Sequence, residues 1–229
     1  VQLELKSRFV HTDNFFADQG AIWASAQFDP TKPILSGDTA YGGYYETLFA
    51  AGGNAGRPIP LAIRNPLGLI EQKEDVSDVN RFIGNARVTY NTHFLDGLKA
   101  VVNVGTDMVN SSGTVLIPHT AASNFQNGGY QTQYDMEKSN QLIEGFLNYS
   151  NADQGGDHRL DLTAGYSFQE WSTMSPSYPG LSIAGDTLNA PGIPTDTKNA
   201  LLSYYGRGIY SYLDKYVITA TLRRDGSSR

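Results

Sequence analysis

The chain has 229 residues, 17% of them charged, with a net charge of −6, 24 glycines, 14 tyrosines and no cysteine. That balance excludes a general basic footprint for nucleic acid, and the missing cysteines exclude disulfide frameworks and thiolate metal sites. No run approaches 18 consecutive apolar residues, so no helix is expected to cross a bilayer.

Alternation begins at once, in "VQLELKSRF", without an initiator methionine or a charged-then-apolar leader, so the sequence reads as an excerpt of a larger protein. Val1, Leu3, Leu5 and Phe9 share one parity. In "RFIGNARVTY" the apolar set is Phe82, Gly84, Ala86, Val88 and Tyr90, and in "LKAVVNVG" it is Leu98, Ala100, Val102 and Val104. Stretch 140–150 is mixed, with Ile143, Leu147 and Tyr149 against Leu142 and Phe146. "HRLDLTAGYSFQ" gives Leu160, Leu162, Ala164, Tyr166 and Phe168. The next stretch gives Leu202, Tyr204, Tyr210 and Tyr212 around Gly206 and Gly208, and the last gives Tyr216, Ile218, Ala220 and Leu222. Period two throughout predicts about seven strands.

Charges, which did not set the phase, fall on the opposite parity at Arg81, Arg87, Lys99, Asp107, Glu144, Arg159, Asp161, Arg207 and Arg223. The connections alternate strictly in length: 92–97, 151–157 and 213–215 are short, whereas 11–79, 108–139 and 170–200 are long. Short turns at one end and long loops at the other are the habit of outer-membrane barrels. The predicted fold is therefore all-β, a partial antiparallel transmembrane β-barrel spanning residues 1–229, with lipid-facing apolar residues and lumen-facing charges. Tyr90, Phe94, Tyr149, Tyr210, Tyr212 and Tyr216 beside the short turns are expected to form an aromatic girdle at the membrane–water interface. Gly206 and Gly208 are expected to lie beneath neighbouring rings. A soluble or secreted β-sandwich, such as a glycan-binding module, would show the same alternation, and a porin or adhesin the same barrel.

Within the first long loop, "FFADQGAIWASAQFDP" has helical spacing at Phe15, Ile22 and Trp23, and "NPLGLIEQ" sets Pro66 behind Asn65 as a helix N-cap. Trp23, Tyr44, Tyr45, Trp171 and Tyr178 are the candidate ligand contacts, because aromatic faces stack on sugar rings. Asp225-Gly226 signals a turn at an outer strand end. The chain has no GxxxxGK[ST], and its GxG at Gly206–Gly208 sits mid-strand. "GLSIAG" misses a nucleophile elbow by one residue. His11, His93, His119 and His158 are far apart in sequence and outside any HExxH, so no cofactor, metal or catalytic residue is expected.

"FADQGAIWASAQFDPTKPI", "NRFIGNARVTY", "FLDGLK", "HRLDLTAGYSFQEW" and above all "DKY…T…LRRDGSSR" resemble the SusC/RagA-like TonB-dependent transporters of Bacteroidota outer membranes. The resemblance implies part of a plugged barrel of roughly 22 strands, set in outer-membrane lipid. It implies a SusD-like surface lipoprotein as lid and TonB as energy source, acting through regions outside this chain. The implied cargo is an oligosaccharide or peptide, and the function is nutrient import rather than enzymatic.

Overall fold

In the computed structural model, which describes residues 1–37, 39–151 and 156–228, a meander of long antiparallel strands makes up most of the chain. β1 (Gln2–Phe15) pairs with β2 (Glu74–Asn91), β2 with β3 (Leu98–Ile117), and β3 with β4 (Tyr130–Ser150). β5 (His158–Ser175) follows, and two short strands, β6 (Gly180–Leu181) and β7 (Thr187–Asn189), lie off the main path. β8 (Thr195–Tyr212) and β9 (Tyr216–Ser227) complete the order β1-β2-β3-β4-β5-β8-β9. Of the short links, 151–157 contains residues 152–155, which lie outside the described residues.

The long loops are shorter than the sequence pattern predicts. Strands β3 and β4 run 20 and 21 residues, well beyond a bilayer's about 9–11. Phe15 ends β1 rather than starting a helix, and the links shrink to 16–73, 118–129 and 176–194. The reason is physical. Alternation reports only where the two sheet faces meet different surroundings; above the apolar zone both faces carry polar residues, so the ladder continues without a periodic signal. Asp225-Gly226 makes no turn either: it continues β9, with Gly226 paired to Leu202 and Asp225 to Ser203.

The first loop folds on itself. α1 (Gly20–Gln27) packs on α2 (Pro66–Glu71), which starts as the sequence predicts, with the Asn65 side chain accepting from the Leu67 and Gly68 amides and Pro66 in the first turn. Asn65 is fully buried, and its Nδ2 donates to the carbonyls of Ile34 and Tyr45 at 2.7 and 3.2 Å. Its amide donates to Glu46 Oε1 at 3.1 Å. One side chain thus ties three separate loop segments together.

A hydrophobic core in the ordinary sense is nearly missing. The few buried apolar residues, including Ala21, Ala24, Ile117, Ala121 and Ala122, gather mainly at the loop bases. Phe9, Phe82, Val102, Ile143, Leu147 and Leu222 stand exposed instead. No second sheet packs on them among the described residues, which removes the β-sandwich alternative.

Candidate functional site

The functional element is the wall itself, whose two faces follow from the strand register. Pairing carries one parity across all seven long strands: Phe9, Phe82 and Met108 lie in register, as do Ile143, Phe168 and Leu202. On this face the run of large apolar side chains breaks off at Phe9, Phe82, Met108, Ile143, Phe168, Leu202 and Leu222, and Phe15, Val76, Leu116 and Met174 reappear only towards the strand ends. Polar side chains follow at His11, Asn80, Asn110, Gln141, Glu170, Lys198 and Arg224.

That upper boundary is oblique to the ladder. It drops four residues between β3 and β4, where Met108 pairs with Ser139, and four more between β8 and β9, where Leu202 pairs with Gly226. At about 3.3 Å per residue and about 4.8 Å per strand, the slope over the sheet is about 40°. The lower boundary falls the same way, from Tyr90 opposite Ala100 to Tyr212 opposite Tyr216. Strands in a membrane barrel tilt by about 35–45°, so a belt level with the bilayer must cut them at that angle. Leu98 to Met108 on β3, corrected for tilt, spans about 25 Å, the height of such a belt.

Tyr90, Tyr149, Tyr210, Tyr212 and Tyr216 share this face at its lower edge, with Phe94 exposed in the adjoining link. Two histidines join them. The His158 ring lies 4.9 Å from that of Tyr212 and its Nδ1 meets the Tyr210 hydroxyl, while His93 sits edge-on to Tyr90 at 5.8 Å. Neither histidine carries a periodic signal, because both sit at strand ends. The closing turn holds Leu213 and Asp214 at φ of 55° and 57°. Asp214 is braced by Arg159 at 2.9 Å. The tyrosines do not cover the glycines between them: a Cβ at Gly206 would meet nothing nearer than a backbone oxygen at 3.9 Å. Gly206 and Gly208 instead help line a shallow apolar groove with Leu147, Leu162 and Ala220.

The opposite face carries all nine charged residues singled out above, together with Lys6 and Arg8 of β1. Many are paired. Arg81 forks onto Asp107 at 2.9 and 2.6 Å, and Arg223 bridges Asp225 and Ser203 at 2.8 and 3.0 Å. Asn148 reaches Asp161 at 3.1 Å. Arg87, Lys99 and Arg207 form no ion pair among the described residues, leaving cationic groups free on a hydrogen-bonding surface.

Ring-over-glycine packing occurs on this polar face, and sequence periodicity does not reveal it. Tyr134 stands directly across from Gly113 and Tyr205 from Gly165. A Cβ at Gly113 would lie 2.3 Å from the Tyr134 ring, and one at Gly165 2.5 Å from the Tyr205 ring. Each hydroxyl then donates to a carboxylate one strand further on, Tyr134 to Asp75 at 3.1 Å and Tyr205 to Glu144 at 3.0 Å. Two identical three-strand clamps keep these rings flat against the wall. Gly165→Val should displace Tyr205 and cost about 1–3 kcal/mol, whereas Gly206→Val, in open space, should cost less; denaturant unfolding of the two variants checks the order.

The five candidate ligand contacts do not converge. Trp171 lies within β5 on the polar face, and Trp23 is exposed on α1. Tyr44 packs on Gly68 of α2, and Tyr45 sits edge-to-face with Phe28 at 6.4 Å. Tyr178 lies on the other side of the sheet, its hydroxyl bonded to Asp135, which holds the phenol above its ordinary pKa.

An oblique apolar belt over an aromatic rim, backed by a polar face, defines part of a transmembrane β-barrel wall. No family model matches the chain. TonB-dependent receptor SusC of Bacteroides thetaiotaomicron is 29% identical over 249 aligned residues, covering 100% of this chain and 24% of the relative. TonB-dependent receptor P3 of Formosa agariphila is 30% identical over 178, covering 72% of this chain and 17% of its own length. Among solved structures, the RagAB peptide importer in its closed-closed state aligns with a TM-score of 0.62 and 18% identity, over 82% of this chain and 21% of that one. Sequence and fold together place the chain in the SusC/RagA-like TonB-dependent transporter family. It spans about a quarter or less of the length of the curated relatives it matches.

Proposed function

We propose that this chain is part of an outer-membrane importer that takes up oligosaccharides or peptides with energy delivered through TonB. The observation that carries the reading is the likeness to SusC over the whole chain. The belt geometry supports an outer-membrane setting. In this reading the apolar parity faces lipid and the nine charged residues face the lumen. The links 16–73, 118–129 and 176–194 lie outside the cell, where they meet cargo and a SusD-like lipoprotein lid. The polar face mixes free cations, paired carboxylates and amides, which suits a hydrated, hydrogen-bonding cargo.

Trp171, on the lumen-facing parity, is the best placed of the five aromatics for cargo to pass, and Trp23 is free to meet cargo or lid. Deleting the gene for the complete protein should abolish uptake of one class from defined oligosaccharide and peptide pools, and removing TonB should do the same. Uptake unchanged by either deletion would overturn the reading. In the complete protein, Trp171→Ala should weaken cargo binding roughly three- to tenfold, the worth of one aromatic contact.

A further inference from the structure

Directly above the apolar belt, on its own face, His11, Asp13 and Asp78 come together from two strands. His11 and Asp13 are two residues apart on β1, so both point outward. The register sets Asn80 across from His11 and Asp78 across from Asp13. One ligand atom from each of His11, Asp13 and Asp78 lies within 4.8 Å of the others. His11 Nδ1 is 3.3 Å from Asp78 Oδ2 and 3.0 Å from Asn80 Oδ1. Among the described residues no lysine or arginine pairs with either aspartate; the imidazole is their one ionic contact.

We propose that His11, Asp13 and Asp78 form a binding site for a divalent transition-metal ion such as Zn2+, with Asn80 orienting the ligands. The chemistry of the donor set fits. Imidazole with carboxylates suits zinc and its neighbours, whereas Ca2+ and Mg2+ favour all-oxygen shells. With metal–ligand bonds of about 2.0–2.1 Å in a tetrahedron, neighbouring ligand atoms stand about 3.3 Å apart, the separation found between His11 Nδ1 and Asp78 Oδ2. Asp13 Oδ1 lies 3.4 Å from His11 Nε2, the ring's other nitrogen, so it joins an ion held at Nδ1 and Asp78 once its exposed side chain rotates. Asn80 Nδ2 donates to Asp78 Oδ1, which fixes that carboxylate as an outer-sphere partner does. The fourth position opens outward at the boundary between lipid and water. An ion held there would clasp β1 to β2 where both strands leave the belt.

The test uses the complete protein in detergent, stripped with chelator and titrated calorimetrically with ZnCl2 in the presence of excess Mg2+. The parent should bind one more Zn2+ than His11→Gln or Asp78→Asn, and Asn80→Ala should keep the site with affinity reduced about tenfold. Zn2+ should also raise the unfolding temperature of the parent above that of both ligand variants, which should match it when metal-free. Equal stoichiometry and affinity in parent and ligand variants, or no Zn2+ bound by the parent, would overturn the proposal.

Discussion

Replacing Val102 by arginine should destabilise the complete protein in a bilayer by about 2–4 kcal/mol, the cost of a guanidinium at mid-membrane on a barrel's outer face. The next residue, Asn103, offers the contrast. Val102 pairs with Val88 and Gly145 on the apolar parity, midway along the Leu98–Met108 stretch. Asn103 faces the other way and stands directly across from Glu144. Asn103→Arg would lose the hydrogen bond from Asn85 at 2.9 Å and place a cation between Glu144 on β4, which attracts it, and Arg87 on β2, which repels it. Its net effect should stay within about 1 kcal/mol.

The pair separates membrane from water because both substitutions add the same side chain to the same strand. Were the apolar face bathed in water, Val102→Arg would cost only the loss of cross-strand packing against Val88, about 0.2–1 kcal/mol. Denaturant titration of bilayer-folded protein, with abundance in outer-membrane fractions as a second readout, measures the difference. Equal cost at positions 102 and 103 would remove the lipid-facing assignment and with it the import reading.

The belt was legible in the sequence because one face of the sheet is apolar and the other polar over this stretch, a period-two contrast that nothing else there obscures. Phe82 to Tyr90 and Leu98 to Val104 announce both strand and facing from composition alone. Above the belt that contrast vanishes. Asn110, Ser112, Gln133 and Glu137 therefore read as loop although they sit in a continuous ladder. The helix at Pro66 was legible for a different reason: N-cap and first-turn chemistry are local. The tyrosine clamps and the His11–Asp78 cluster were not, since each joins residues between 21 and 67 positions apart through strand register. The candidate ligand contacts were chosen by residue type, which carries no information on where the fold places them. Tyr44 and Tyr45 serve the packing of the first loop, and Tyr178 lies on the far side of the sheet.

Asn65→Ala should loosen the first loop by about 3–5 kcal/mol while leaving the strands folded. The substitution removes the acceptor of the Leu67 and Gly68 amides, a cap worth about 1 kcal/mol, and strands the Tyr45 carbonyl without its donor, while the Ile34 carbonyl keeps only the Tyr45 amide at 2.9 Å. Unsatisfied buried groups cost about 1–3 kcal/mol each, and the cavity left by a fully buried side chain adds to this. Glu46→Gln is the control. Burial pushes the Glu46 carboxyl above its ordinary pKa despite Arg64 at 3.5 Å, so its contribution to loop stability is largest in acid and falls as pH climbs through that raised value. Glutamine keeps an acceptor for the Asn65 amide and lacks the charge, so it should flatten this pH dependence, while leaving the part-buried Arg64 without its carboxylate partner. Amide exchange across residues 39–72 measures both. Opening in Asn65→Ala should accelerate by about a hundred- to several-thousand-fold while exchange in β2 to β5 stays unchanged. Loop exchange within threefold of the parent would show that Asn65 does not hold the segments together. If the loop does loosen and cargo binding weakens with it, the ordered loop contributes to capture; loosening without any change in binding would leave capture to the lumen wall.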